Sequence, residues 1–86
     1  MFVVELAFGD EPGRLDARPA HREQLARLHH EGKLVMAGPF GDDAGALLIF
    51  DVADDDELTR VMSVDPYYDH PAVQVVRRQE WLPVFT

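Results

Sequence analysis

The chain has 86 residues, enough for one domain, and a domain of this size buries only about 60–65% of the surface its unfolded chain exposes. Sixteen acidic against eight basic residues leave a net charge of −8, which repels phosphate backbones and argues against nucleic acid as a ligand. There is no cysteine, so disulfides, thiolate nucleophiles and Cys-based zinc sites are excluded together. With no long apolar run and no cleavable leader, the expectation is a cytoplasmic globular protein without a membrane partner.

Phe2, Val4, Leu6 and Phe8 alternate with Val3, Glu5 and Ala7, which predicts an opening strand with one strongly apolar face. Gly9 to Gly13 breaks it. Asp16 is placed to cap a helix, Pro19 falls in the first turn that follows, and the helix runs to about Glu31, where Gly32 supplies a left-handed stop. Its apolar stripe is Leu25 and Leu28 assisted by Ala17 and Ala20, with Arg22, Glu23, Arg27 and Glu31 on the wet side. Arg14, Arg18 and Arg22 lie close enough in sequence to make a local basic spot that could hold an anion.

Leu34 to Phe40 and Ala46 to Phe50 have strand length, and Gly41-Asp42-Asp43-Ala44-Gly45 supplies the turn chemistry of a β-hairpin. Ala46 to Phe50 shows no apolar/polar alternation, so both its faces should be buried. Asp54 and Glu57 predict a capping box. The short helix they open buries Leu58, Val61 and Met62 and stops before Pro66. Ala72 to Trp81 reads as a final, more polar strand. The order strand, helix, strand, strand, helix, strand is that of a ferredoxin-like βαββαβ domain of the α+β class. Right-handed crossovers make its sheet antiparallel with the first and third strands central. One end of that sheet then gathers His21, Gly38-Pro39 and Asp65. The helices cover one face only, and the simplest cover for the other is an identical sheet in a homodimer.

Arg18-Pro19-Ala20-His21, Gly32-Lys33-Leu34, Ala37-Gly38-Pro39 and Asp65-Pro66-Tyr67 together resemble the YCII-related (YciI-like) family over nearly the whole chain. The resemblance implies a dimeric α+β barrel of ferredoxin-like subunits. It places the family's histidine on His21 and its aspartate on Asp65, a pair suspected of acid/base work, and at least one relative removes chloride from a hydroxylated aromatic ring.

His21 stands at i to Leu25 at i+4 and Leu28 at i+7, so it shares the buried stripe. That suits either a satisfied core histidine or a base kept neutral by the helix's positive end and aided by a carboxylate. Asp65, at a helix carboxyl end that disfavours an anion, is either a functional misfit or the start of an Asp-Pro turn. Gly38 and Pro39 either bring bare backbone to a ligand or end an edge strand. Tyr67 either lines a pocket or packs under the last strand, and Arg18 either holds a carboxylate or lies solvated near Asp16.

Metal readings fail on spacing. Asp54-Asp55-Asp56 has Thr59 where a calcium loop needs glycine. His29 and His30 are adjacent rather than at i and i+4, and suit the negative helix end better. No phosphate loop or nucleophile elbow is present. The expectation is therefore a small homodimeric pocket protein without a metal or cofactor. His21 and Asp65 would be its catalytic pair, and Arg18, Gly38, Pro39 and Tyr67 its substrate contacts. It would act as a lyase, an isomerase or a dehydrochlorinase-like enzyme on a small anionic or phenolic molecule. The alternative is a non-catalytic module that binds a small ligand or only assembles.

Overall fold

In a computed structural model describing Met1–Thr86, the first strand β1 (Phe2–Phe8) buries Phe2, Val4 and Leu6 and turns Val3, Glu5 and Ala7 the other way. That two-residue period is what a half-buried strand requires. β1 is followed by α1 (Arg14–His30), a hairpin of β2 (Leu34–Pro39) and β3 (Gly45–Phe50), α2 (Asp55–Ser63), a 3-10 helix (Pro66–Asp69) and β4 (Val73–Glu80). The sheet order is β2-β3-β1-β4, antiparallel at every pairing. Both helices cover one face, giving the ferredoxin-like α+β fold. No helix is long and apolar enough to cross a membrane.

The core lies between that face and the helices. Val4, Leu6, Leu48 and Phe50 of the central strands pack with Leu28 of α1 and Leu58, Val61 and Met62 of α2. Each large aliphatic or aromatic side chain withdrawn there contributes about 1.5–3 kcal/mol. The helix-free face carries Val3, Leu47, Ile49 and Met36, with Met36 61% exposed. Ile49 is buried in the single chain and Leu47 half-buried, so β3 is covered on both faces less completely than its composition implies.

The start of α1 differs from the sequence expectation. Its N-cap is Gly13, at φ 102°, and Asp16 lies in the first turn without capping. Glycine fits because of its left-handed backbone and because a Cβ at this position would stand 3.2 Å from His70 Nε2. Pro19 accordingly sits inside the helix. It leaves the Leu15 carbonyl without a ladder donor, on a side of the helix that water reaches. Ala20, expected in the apolar stripe, is exposed.

The other end follows the expected device. Gly32 adopts φ 80°, its N–H donates to His29 O (3.1 Å), and Lys33 N–H donates to Leu28 O (2.9 Å). This pair of bonds is a Schellman motif that satisfies two of the helix's orphan carbonyls. α2 opens with Asp54 Oδ1 accepting from Glu57 N–H at 2.8 Å, while Glu57 reaches back to Ala53 N–H (2.8 Å) rather than to Asp54 itself. Arg78 of β4 donates to Asp55 Oδ1 and to the Asp55 carbonyl, fastening that helix to the sheet.

In the hairpin turn, Asp43 takes φ 56° and Asp42 Oδ1 accepts from Ala44 N–H (3.0 Å). Gly45 permits a close approach of β3 to β1, because a Cβ there would lie 2.2 Å from the Leu6 carbonyl oxygen. Beyond β4 the chain exposes Leu82, Val84 and Phe85.

Candidate functional site

α1 crosses the sheet beside β2, and the space between them is a cavity of about 410 Å³. Apolar groups from Leu25, Leu34, Val35, Ala46 and Leu48 line most of it. The helix gives it a polar wall, since Arg14, Arg18 and Arg22 repeat every four residues and all border the cavity, together with His21. Gly38 and Pro39 of β2 and Tyr67 of the 3-10 helix complete it. Every residue that the sequence suggests as a substrate contact therefore lines one space.

His21, which borders the cavity, meets Asp65 across 44 positions of sequence, with His21 Nδ1 2.5 Å from Asp65 Oδ2. Both are buried, at 6% and 5% exposure. A charge withdrawn this far must be matched locally. Asp65 is matched twice, because its Oδ1 accepts from Tyr67 N–H (3.0 Å) and caps the 3-10 helix whose first residue is Pro66. Asp65 does follow the carboxyl end of α2, as the sequence reading has it, with its N–H on Met62 O (3.1 Å). It stands at the same time at the N-terminus of the 3-10 helix, an end that favours the carboxylate and that the sequence reading lacks.

The carboxylate accepts a hydrogen bond from Nδ1–H, which leaves Nε2 as the imidazole's acceptor. Nε2 has no protein partner and is not sealed from solvent. His21 is held below its ordinary value, first by burial and additionally by the Arg22 charge, against the opposing effect of the hydrogen bond that it donates to Asp65. The imidazole is consequently neutral at pH 7. Tyr67 stacks on it, with ring centroids 4.0 Å apart at 11°, and Tyr68 meets it edge-on at 5.4 Å. Burial raises the Tyr68 phenol, with the Asp65 charge adding to the effect.

Arg14 ties these parts together. Its guanidinium lies 3.9 Å over the Phe8 ring, donates to Tyr67 Oη (3.2 Å) and pairs with Asp43 of the hairpin turn (3.1 Å). Its pKa is raised, first by the Tyr67 hydrogen bond. The sequence places Arg14 only in a loose basic spot, because the helix is expected to begin at Asp16. Continuing the four-residue arginine spacing one turn earlier is the signal that finds it. His29, expected only to sit at the helix end, bonds Leu34 O through Nδ1 (3.0 Å) and borders the same cavity. A second cavity of about 360 Å³ reaches His21 and Asp65 from the far side, between α1 and the 3-10 helix. No group of three or more His, Cys, Asp or Glu side chains is arranged to hold a metal ion.

A ferredoxin-like sheet with an apolar, cation-walled cavity bordered by a buried histidine that is bonded to a buried aspartate defines an α+β pocket protein. The sequence model of the YCII-related domain matches residues 1–82, and the chain belongs to that family. Among solved structures it is similar to the 5-chloro-2-hydroxyhydroquinone dehydrochlorinase of Burkholderia phenoliruptrix in complex with 2,5-dihydroxybenzoquinone. The two superpose with a TM-score of 0.70 at 24% identity, over 95% of this chain and 94% of that one. That likeness establishes a shared fold. No curated protein matches the sequence.

Proposed function

We propose that the protein is a cofactor-independent enzyme that moves a proton on a small anionic or phenolic molecule, with His21 as base and Asp65 as its orienting partner. The observation that carries this reading is the 2.5 Å contact between two buried side chains. Asp65 fixes the tautomer, so the Nε2 lone pair is the free basic position of the ring. Burial keeps that position unprotonated at neutral pH, and the carboxylate beside Nδ1–H stabilises the imidazolium formed when it takes a proton.

In this scheme Nε2 accepts a proton from a ligand O–H or C–H, and the electron pair released moves onto the ligand's ring or carbonyl oxygen. The oxyanion is met by Tyr67, whose oxygen already accepts from Arg14 and whose own O–H is left to donate, and by the arginine wall. Return of the proton to another atom completes an isomerisation. Departure of an anion with the electron pair completes an elimination, the class to which a dehydrochlorinase belongs. Arg18, Gly38 and Pro39 act as substrate contacts.

The working unit is a homodimer that covers Val3, Met36, Leu47 and Ile49 with the same face of a second chain, and it works in the cytoplasm. Nucleic acid and membrane are not partners, in keeping with the net charge of −8. The test is His21→Gln, which keeps an amide in the imidazole's place. Screened against hydroxylated aromatic and enolic acids, the variant should lose turnover by about 10²–10⁴-fold while still binding ligand. Unchanged turnover in the variant would reject His21 as the base.

A further inference from the structure

In the arginine wall Arg14 and Arg18 are half-buried and Arg22 is exposed, and all three border the cavity. Of its three cations only Arg14 has an acidic partner. Arg18 and Arg22 make no ion pair and no side-chain hydrogen bond, although the protein carries twice as many acids as bases. A chain so rich in carboxylates that leaves two guanidinium groups unpaired beside an apolar cavity has a local potential opposite in sign to its overall charge. The acid that does enter this space, Asp43, comes from the hairpin turn and lies on Arg14 at 3.1 Å.

We propose that the cavity is built for a carboxylated ligand, a planar hydroxy-acid whose carboxylate is seated on Arg18 and Arg22 while its hydroxyl-bearing ring lies toward Tyr67 and His21. Asp43, which pairs with Arg14, is the one carboxylate on the cavity lining and shows the anion chemistry that this wall accepts. This rests on the reading of the cavity as a substrate site and adds the substrate's second functional group.

Arginine rather than lysine suits the task, because its planar fork binds a carboxylate through two parallel N–H donors. The positions suit it also. Arg22 is close enough to His21 to depress its basicity, so a carboxylate on Arg22 lies within the same electrostatic reach of the imidazole. Leu25, Leu34 and Leu48 supply apolar walls for a ring. A neutral phenol would leave both guanidinium groups without a counter-charge, whereas a hydroxy-acid answers both ends of the cavity.

The experiment compares 4-hydroxybenzoate with 4-hydroxybenzyl alcohol, equal in shape and different in charge, by NMR titration of the intact protein. The acid should bind at least about tenfold more tightly, with shifts centred on α1 and β2. Arg18→Met and Arg22→Met keep much of the aliphatic stems and break no side-chain hydrogen bond or ion pair, and each should shrink that ratio. Together they should bring it to about one. Asp43→Asn retains a residue suited to its left-handed backbone and should tighten the acid by removing the one carboxylate that borders the cavity.

Equal affinities for the two probes, absence of binding by both up to millimolar concentration, a ratio indifferent to the arginine substitutions, or weaker binding of the acid to Asp43→Asn would each overturn the proposal. His21→Gln separates it from the catalytic reading. A carboxylate preference that persists there without any turnover defect supports the subsite while sinking the base. Loss of turnover in that variant, with no carboxylate preference in the unmodified protein, does the reverse.

Discussion

Replacing Asp65 by asparagine changes one atom in the most demanding part of the molecule, and its effect can be worked from the bonds Asp65 makes. Oδ1 accepts from Tyr67 N–H and Oδ2 accepts from His21 Nδ1–H. An asparagine can keep the first with its amide oxygen but must then turn its NH2 group toward the ring. That group donates, so Nδ1 has to become the acceptor and the imidazole proton must move to Nε2. The tautomer inverts, and Nε2, the proposed base position, becomes a donor.

The stability cost is the difference between a charge-assisted and a neutral hydrogen bond, about 1–1.5 kcal/mol. In a domain of this size that lowers Tm by roughly 5–10 °C. Alanine loses both bonds and strands a buried imidazole, which costs about 3–4 kcal/mol. Nitrogen-15 NMR of the His21 ring distinguishes the two tautomers, and thermal melts give the ranking wild type, asparagine, alanine. A ring that remains protonated on Nδ1 in Asp65→Asn, or an asparagine variant that melts with the wild type, would refute the argument.

The remaining predictions concern acid, glycine and assembly. Because His21 is held below its ordinary value of 6.5, the unfolded chain takes up that proton first. Its contribution to stability is full above about pH 6.5 and is lost as the pH falls through that value toward the folded one. Denaturant melts of His21→Gln should lack this acid-side loss, and an identical slope in both proteins would contradict it. Gly45→Ala puts a methyl carbon into the Leu6 carbonyl and should cost about 3 kcal/mol or more. Gly38→Ala enters open space and should stay within about 0.5 kcal/mol, so equal melting temperatures would overturn the packing argument. Leu47→Glu, placed opposite Glu5 on the helix-free face, should convert a sedimenting dimer into a monomer. A wild-type monomer at micromolar concentration would remove the dimer.

Much of the fold is legible because its signals are local. The alternation in Phe2–Phe8, the Asp54 cap of α2, Gly32 at the end of α1 and the Gly-Asp-rich hairpin each announce an element within a few residues. The chain also places His21 and Asp65 at one end of the sheet, since right-handed crossovers leave few alternatives. What is not legible depends on contacts between distant segments. Gly13 caps α1 partly because His70, from the far end of the chain, stands against it. Asp65 looks misplaced at the end of α2 until the 3-10 helix it caps is seen. Arg14 becomes a site residue only through Tyr67, Asp43 and Phe8, which come from three other parts of the chain.

The distance along the chain between His21 and Asp65 has a consequence for how the site comes into being. Their contact closes a loop spanning 44 positions, with α1 on one side and the end of α2 on the other. The entropy of that closure must be met before any local interaction at the site rewards it. The first half of the chain, folded alone, would hold His21 and the arginine wall without Asp65, and the second half Asp65 without His21. The pocket is therefore a property of the finished topology and belongs to neither βαβ half. A ligand that touches both halves acts as a staple across the loop, and its free energy of binding adds directly to that of holding the two halves together.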